Sequence, residues 1–287
     1  MTNIHDDLKI NIDAQKARIE MDKGSIIVVG GQTGEGKTTL AVQIADYYQG
    51  SEISFEKQIA TGGSQYFIKK PSIIEEKLKV MIFDEAGELI GKRAMSNFNL
   101  KMIQDFEQQR AFQIFVIMCL PSFRSLDPSL FDERGLVRFA IQVHSRSETL
   151  GKWNLYGRKA IKKLFYEMKD KPWVLKDHFF DPRSKYYVIP DADGSFYDLD
   201  PGRRAELKTY SIEGKVNLSR ERKAKEEGLL TYEEIGSQVK RTKSSLYHYF
   251  SKEQIKPIDR IGNVAYFDPS VVEQIRQRKK AEEGDGK

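Results

Sequence analysis

The sequence predicts an α/β fold, a mostly parallel sheet flanked by helices, followed by a small second module. Three observations predict it. A glycine-rich turn lies between a β-branched run and a helix-like run, a second apolar run ends in two carboxylates, and charge and periodicity both change near Leu229.

Residues 1–24 read as an N-terminal helical segment. Ser25-Ile-Ile-Val-Val29 then has the form of a strand buried on both faces, short and β-branched, and it ends in glycines. Gly31-Gln32-Thr33-Gly34-Glu35-Gly36-Lys37-Thr38 follows, and the helix-like run Thr39-Leu-Ala-Val-Gln-Ile-Ala45 continues from it. Strand, glycine turn, Lys-Thr and helix in that order are a phosphate-binding loop, or Walker A motif. The main-chain amides of residues 32–37 point at phosphate together with the positive end of the helix. Lys37 neutralises the β and γ oxygens, Thr38 places a hydroxyl on magnesium, and Thr39 completes the nucleotide-binding set. The expected ligands are ATP and Mg2+.

The next strand, Lys79-Val-Met-Ile-Phe83, leads into Asp84-Glu85-Ala86. Asp84 is the expected second protein ligand to magnesium, the Walker B aspartate. Glu85, one step beyond it, can polarise a water for in-line attack on the γ-phosphate, so the pair favours hydrolysis over mere binding. Met95, Phe98, Met102 and Phe106 recur at helical spacing and predict a helix packed on the sheet. Residues 112–120 read as the next buried strand, 121–127 as a loop at its end, and 135–143 as a further strand. Ser122, at that strand end, is a candidate γ-phosphate sensor. A helix over Arg158 to Met168, with Leu164 and Phe165 inward, explains most of the basic and aromatic content of residues 146–185. A surface that tracks DNA, using Lys152, Trp153, Arg158, Lys159, Lys162 and Lys163, is the sharper reading of the same stretch.

The charge is uneven. Residues 1–201 carry 28 basic and 28 acidic side chains, whereas residues 202–287 carry 19 and 14, so the net +5 lies in the tail. There Thr231 and Glu234 form a capping box ahead of Ile235 and Val239, which marks a short helix. After the break Lys240-Arg-Thr242, Leu246 and Phe250 mark a second. Ile255–Ile261 and Val264–Phe267 flank Gly262-Asn263 as a hairpin would, and Asp268-Pro269 starts a last helix with Val272 and Ile275 inward. This order resembles the winged helix-turn-helix domains of the excisionase and MerR type, over residues 229–280. The resemblance implies major-groove contacts from Lys243, Ser244, Ser245, Tyr247 and His248 on the recognition helix. It implies phosphate contacts from Lys240, Arg241 and Arg260. Tyr249 and Phe250 read as core.

Composition sets the limits. A chain of 287 residues is long enough for one sizeable core and a small second module. The single cysteine, Cys119, excludes an internal disulfide and fits a reducing compartment, where it reads as a buried, inert thiol. The longest apolar run is far short of a membrane span, and the first residues have neither a basic start nor an apolar stretch of a signal peptide. The expected location is the cytoplasm.

The wider order of landmarks resembles the FtsK/HerA-type ATPases, in their zonular occludens toxin-like branch from mobile elements. It runs from the phosphate loop through Asp84-Glu85-Ala86, a helix ending in Arg110, an apolar strand with Pro121, Leu126-Asp-Pro and Arg134, over roughly residues 20–170. The resemblance implies a RecA-like P-loop core working on double-stranded DNA as a homo-oligomer, usually a hexamer. It also implies an arginine acting on the neighbouring subunit's γ-phosphate, with Arg110, Arg124 and Arg134 as candidates in rising order. The chain departs from the filamentous-phage members in having no membrane segment. The organisation expected is a core over residues 25–217, a charged linker over 218–228, the helix-turn-helix module over 229–280 and a disordered tail over 281–287. The function expected is a ring-forming DNA translocase or packaging or transfer ATPase of a virus, plasmid or other mobile element, with a replication, packaging or transfer protein as partner. Two other readings fit the same motifs: an AAA-type loader of a helicase or transposase, and a nucleotide-gated DNA-binding regulator.

Overall fold

A computed structural model describes residues 4–84, 97–123, 130–131, 135–144, 150–261 and 264–284. The chain divides into two compact units, residues 1–210 and 211–287.

The first unit is a seven-stranded sheet with helices on both faces. Its strands are β1 (Ser25–Gly30), β2 (Ile59–Ala60), β3 (Val80–Phe83), β4 (Phe115–Leu120), β5 (Val137–His144), β6 (Leu150–Gly157) and β7 (Ala192–Tyr197). In space they run β2-β3-β4-β1-β5-β6-β7. The first five are parallel, and β6 and β7 join antiparallel at one edge. Every residue of β1, β3 and β4 is buried, as strands covered on both faces must be.

One face is covered by α1 (Asp6–Glu20) and α2 (Lys37–Gln49). Leu8, Ile12, Leu40, Val42 and Ile44 pack there on Ile27, Val29, Ile117 and Ile141. The other is covered by α4 (Gly63–Glu75), α5 (Asn97–Gln108) and α6 (Arg158–Asp170), following the single turn α3 (Phe55–Gln58) on the chain. Tyr66, Met102, Phe106 and Leu164 pack there on Val28, Met81, Val116 and Met118. The stripe expected over residues 95–106 is thus core at Met102 and Phe106, whereas Met95 and the side chain of Phe98 lie outside the described residues.

Two expectations change. The strand expected over 112–120 starts at Phe115, because Gln109–Phe112 winds as a 3-10 turn and leaves Phe112 exposed. Trp153 is fully buried on β6 and belongs to no surface, DNA-tracking or otherwise. On α6, in contrast, Ile161, Leu164, Phe165 and Met168 face inward while Arg158, Lys159 and Lys163 are exposed.

The helix α7 (Pro201–Glu226) begins in the first unit, where Arg203 donates to Asp46 at 2.9 Å and to Glu52 at 3.2 Å. Residues 218–226 of the charged segment continue that helix.

In the second unit, β8 (Leu230–Thr231), β9 (Asp259–Ile261) and β10 (Val264–Phe267) form a small antiparallel sheet beside α8 (Tyr232–Val239), α9 (Lys243–Lys252) and α10 (Ser270–Gly284). Its core is Ile235, Leu246, Phe250, Phe267, Val272 and Ile275, with the rings of Phe250 and Phe267 4.7 Å apart. The capping box is present: Thr231 accepts from the Glu234 amide and the Glu234 carboxylate accepts from the Thr231 amide. Between α8 and α9 the chain turns tightly enough that a Cβ on Gly236 would lie 2.6 Å from the Arg241 carbonyl oxygen. Among the described residues no helix is long and apolar enough to cross a membrane.

Candidate nucleotide site

Strand β1 lies between β4 and β5, where the order of the parallel strands reverses, and such a switch point opens a crevice at the strands' carboxyl ends. The loop leaving β1 occupies it. Gly31 has φ +155°, and a Cβ there would lie 2.7 Å from Glu35 Oε2 and 2.8 Å from the Val143 carbonyl, so the position admits only glycine. Gly36, at φ 91°, turns the chain into α2 without a side-chain cap. The first amides of α2 are thereby left to be satisfied from outside the helix.

The loop is braced from within. The Gln32 amide donates to the Glu35 carboxylate, and Lys37 Nζ donates to the Gln32 carbonyl at 2.8 Å. Gln32, Thr33 and Gly34 are exposed, Glu35 to Thr38 are half-buried, and Thr39 is buried. Thr38 Oγ1 donates to Asp84 Oδ1 at 3.1 Å, joining the loop to the end of β3. A hydroxyl and a carboxylate side by side are hard oxygen donors of the kind magnesium takes. The amides, the ammonium and these two oxygens together fit a magnesium nucleotide.

Cys119 is nearer to this chemistry than its apolar surroundings in the sequence imply. Phe83 pairs with Met118 on the parallel strands β3 and β4, so Asp84 and Cys119, one residue further on, are neighbours on the other face. Burial, and then the Asp84 carboxylate, push the thiol well above its usual pKa, so the sulfur stays protonated. Ser122 is buried just past β4. Glu85, Arg124 and Arg134 lie outside the described residues, as does the side chain of Arg110.

One residue at the loop carried no sequence signal. Gln32 Nε2 donates to Asp177 Oδ1 at 3.3 Å, from a 3-10 turn over Lys176–Phe179 between α6 and β7. The two residues are 145 positions apart, and nothing in either local pattern announces the pairing.

The residues read as DNA-contacting lie apart from this loop in the chain, in the second unit. Lys243, Ser244, Ser245, Tyr247 and His248 are exposed on α9, Lys240 is exposed in the turn before it, and Arg260 is exposed on β9. Within the unit Lys243 pairs with Glu233 at 3.3 Å, the ring centres of Tyr247 and His248 lie 6.4 Å apart, and the Arg241 guanidinium, in the turn before α9, lies 5.3 Å from the centre of the Tyr249 ring. Phe250 is core as expected, while Tyr249 is only half-buried.

No protein-family model matches the chain, and no curated protein does. Solved structures similar to it include the N-terminal domain of zonular occludens toxin from Neisseria meningitidis, at 20% identity, covering 47% of this chain and 84% of that one with a TM-score of 0.33. The flagellar accessory protein FlaH from Methanocaldococcus jannaschii matches at 13% identity, covering 50% and 83%, TM-score 0.28. A DNA replication initiation factor matches at 10%, covering 87% and 71%, TM-score 0.30. Likenesses this remote carry no argument about this chain. The α/β architecture with its mostly parallel sheet is consistent with a P-loop fold on its own geometry.

Proposed function

We propose that this protein is a magnesium-dependent ATPase acting on double-stranded DNA. On this reading a RecA-like core is joined by the charged segment 218–228 to a winged helix-turn-helix module over residues 229–280. The observation that carries it is the pairing of Thr38 with Asp84 at the mouth of the uncapped, glycine-turned helix α2. Two motifs 46 residues apart supply the two oxygens that a nucleotide-borne magnesium requires. Thr38 and Asp84 would hold that magnesium, which would supply positive charge against the phosphate oxygens. Lys37 neutralises the same oxygens, the loop amides hold the phosphates, and Glu85 orients the attacking water.

The DNA reading is supported by the basic excess of the tail and by an exposed polar face on α9, backed by a small aromatic core. Lys243, Ser244, Ser245, Tyr247 and His248 are its base-reading set, with Lys240, Arg241 and Arg260 on the backbone. The sequence likeness to FtsK/HerA-type ATPases extends the reading to a ring-forming translocase or packaging or transfer ATPase of a mobile element. An arginine among Arg110, Arg124 and Arg134 then acts on the neighbouring subunit.

The deciding experiment is ATP turnover with and without double-stranded DNA, for the wild type and Glu85→Gln, at one fixed salt concentration. Strong DNA stimulation that disappears in the variant is expected. Slow turnover indifferent to DNA, with ATP binding intact, would overturn the motor reading in favour of a loader or a nucleotide-gated regulator.

A further inference from the structure

The Gln32 residue of the phosphate loop is gripped at three points. Its amide donates to Glu35, its carbonyl accepts from Lys37 Nζ at 2.8 Å, and its side-chain amide donates to Asp177 at 3.3 Å. The first two grips belong to the loop itself. The third belongs to the excursion between α6 and β7, which packs into the core through Phe179, Val174 and Val188. That excursion also reaches the end of β1, by way of Phe123. The ring of Phe180 lies 6.3 Å from that of Phe123, and Phe123 presses so closely on Gly30 that a Cβ there would be 2.7 Å from it. Four residues before Asp177, Trp173 is 73% exposed, and Leu175 is 70% exposed.

We propose that Asp177 is a positioning residue of the nucleotide site, and that through it the segment 171–180 senses whether the phosphate loop is filled. The inference rests on the nucleotide-binding reading above. Its physical basis is competition for Lys37. Phosphate oxygens offer the ammonium charged acceptors, which attract it more strongly than a neutral carbonyl does. As Nζ turns toward them, the Gln32 carbonyl loses its partner and the Gln32 peptide is free to shift. A shift at Gln32 reaches the 3-10 turn that carries Asp177 through their side-chain contact. The exposed indole of Trp173 lies on the same short stretch.

Trp173 supplies the readout, since the other tryptophan, Trp153, is fully buried. Tryptophan emission is followed while a non-hydrolysable ATP analogue and magnesium are added at fixed salt, with binding measured on the same samples by calorimetry. The wild type is expected to change its emission in step with calorimetric saturation, and W173F, altered at a surface residue, to bind equally while losing the change. Q32A and D177A each remove one surface hydrogen bond. They are expected to bind within about tenfold of the wild type, yet to lose most of the emission change. D177N keeps an accepting Oδ1 and is expected to restore it. Calorimetric binding with silent wild-type emission would overturn the proposal while leaving the nucleotide site standing. A full emission change in Q32A and D177A, or one that survives in W173F, would overturn it equally. Absence of nucleotide binding in the wild type would remove both the proposal and the reading beneath it.

Discussion

Helices α2 and α9 each begin directly after a short turn, and their first turns are finished differently. At α9, Thr242 takes the cap position and accepts from the Ser245 amide; at α8, Thr231 and Glu234 satisfy each other's amides. At α2 the cap position is Gly36, with no side chain to spend, and the Glu35 carboxylate turns back to Gln32 instead. A helix end that closes itself is an anchor for side chains, and one left open is an anion receptor made of backbone. The first unit thus holds its candidate chemistry in main-chain geometry, fixed by a fully buried strand. The second displays its own on the exposed face of a small core.

The largest test of that contrast is Phe250→Ala. It removes a fully buried ring packed on Phe267 and should cost the second unit about 3–5 kcal/mol, read by denaturant unfolding, while nucleotide affinity holds. An equal loss of nucleotide binding would break the comparison. Lys37→Ala comes next: ATP affinity is expected to fall about 100-fold in calorimetry, some 2.7 kcal/mol, with the unfolding of the second unit unmoved. Normal ATP affinity in that variant would end the phosphate-loop assignment. Thr231→Ala, which opens the capping box, should cost about 1 kcal/mol and be felt only in the second unit.

A pH dependence lies inside the first unit. Lys69 donates to the Ile59 carbonyl at 2.6 Å and to the Tyr210 hydroxyl at 2.5 Å, and burial lowers its pKa from 10.5 to about 8. Between those values the unfolded chain holds a proton that the folded one has released, so stability contributed by this group rises with pH across that window. Lys69→Met should flatten the rise relative to the wild type, and identical pH profiles would assign it elsewhere.

How far the sequence could be read differs between the two regions for the same reason. The strand before the phosphate loop, the loop's glycines and the Lys37-Thr38 pair are contiguous, so their geometry is local and their spacing carries it. The capping box over Thr231 and Glu234 is legible on the same ground. Strand β6 was not foreseen, since the basic and aromatic content of residues 146–185 read mainly as a helix over Arg158 to Met168, and only the antiparallel pairing buries Trp153. Phe112 looked like the start of a strand because it is apolar, and the 3-10 turn that exposes it follows from where α5 ends.

By itself, then, the sequence determined the glycine-rich turn after β1, the helix it opens and the order of elements in the second unit. Each of these is set by backbone preference and side-chain periodicity within a dozen residues. Tertiary structure alone decided that Asp84 meets Thr38, that Cys119 lies beside Asp84, and that Asp177 reaches Gln32. Those contacts depend on which strands are neighbours and in what register, and that is settled only when the whole sheet buries its two apolar faces at once.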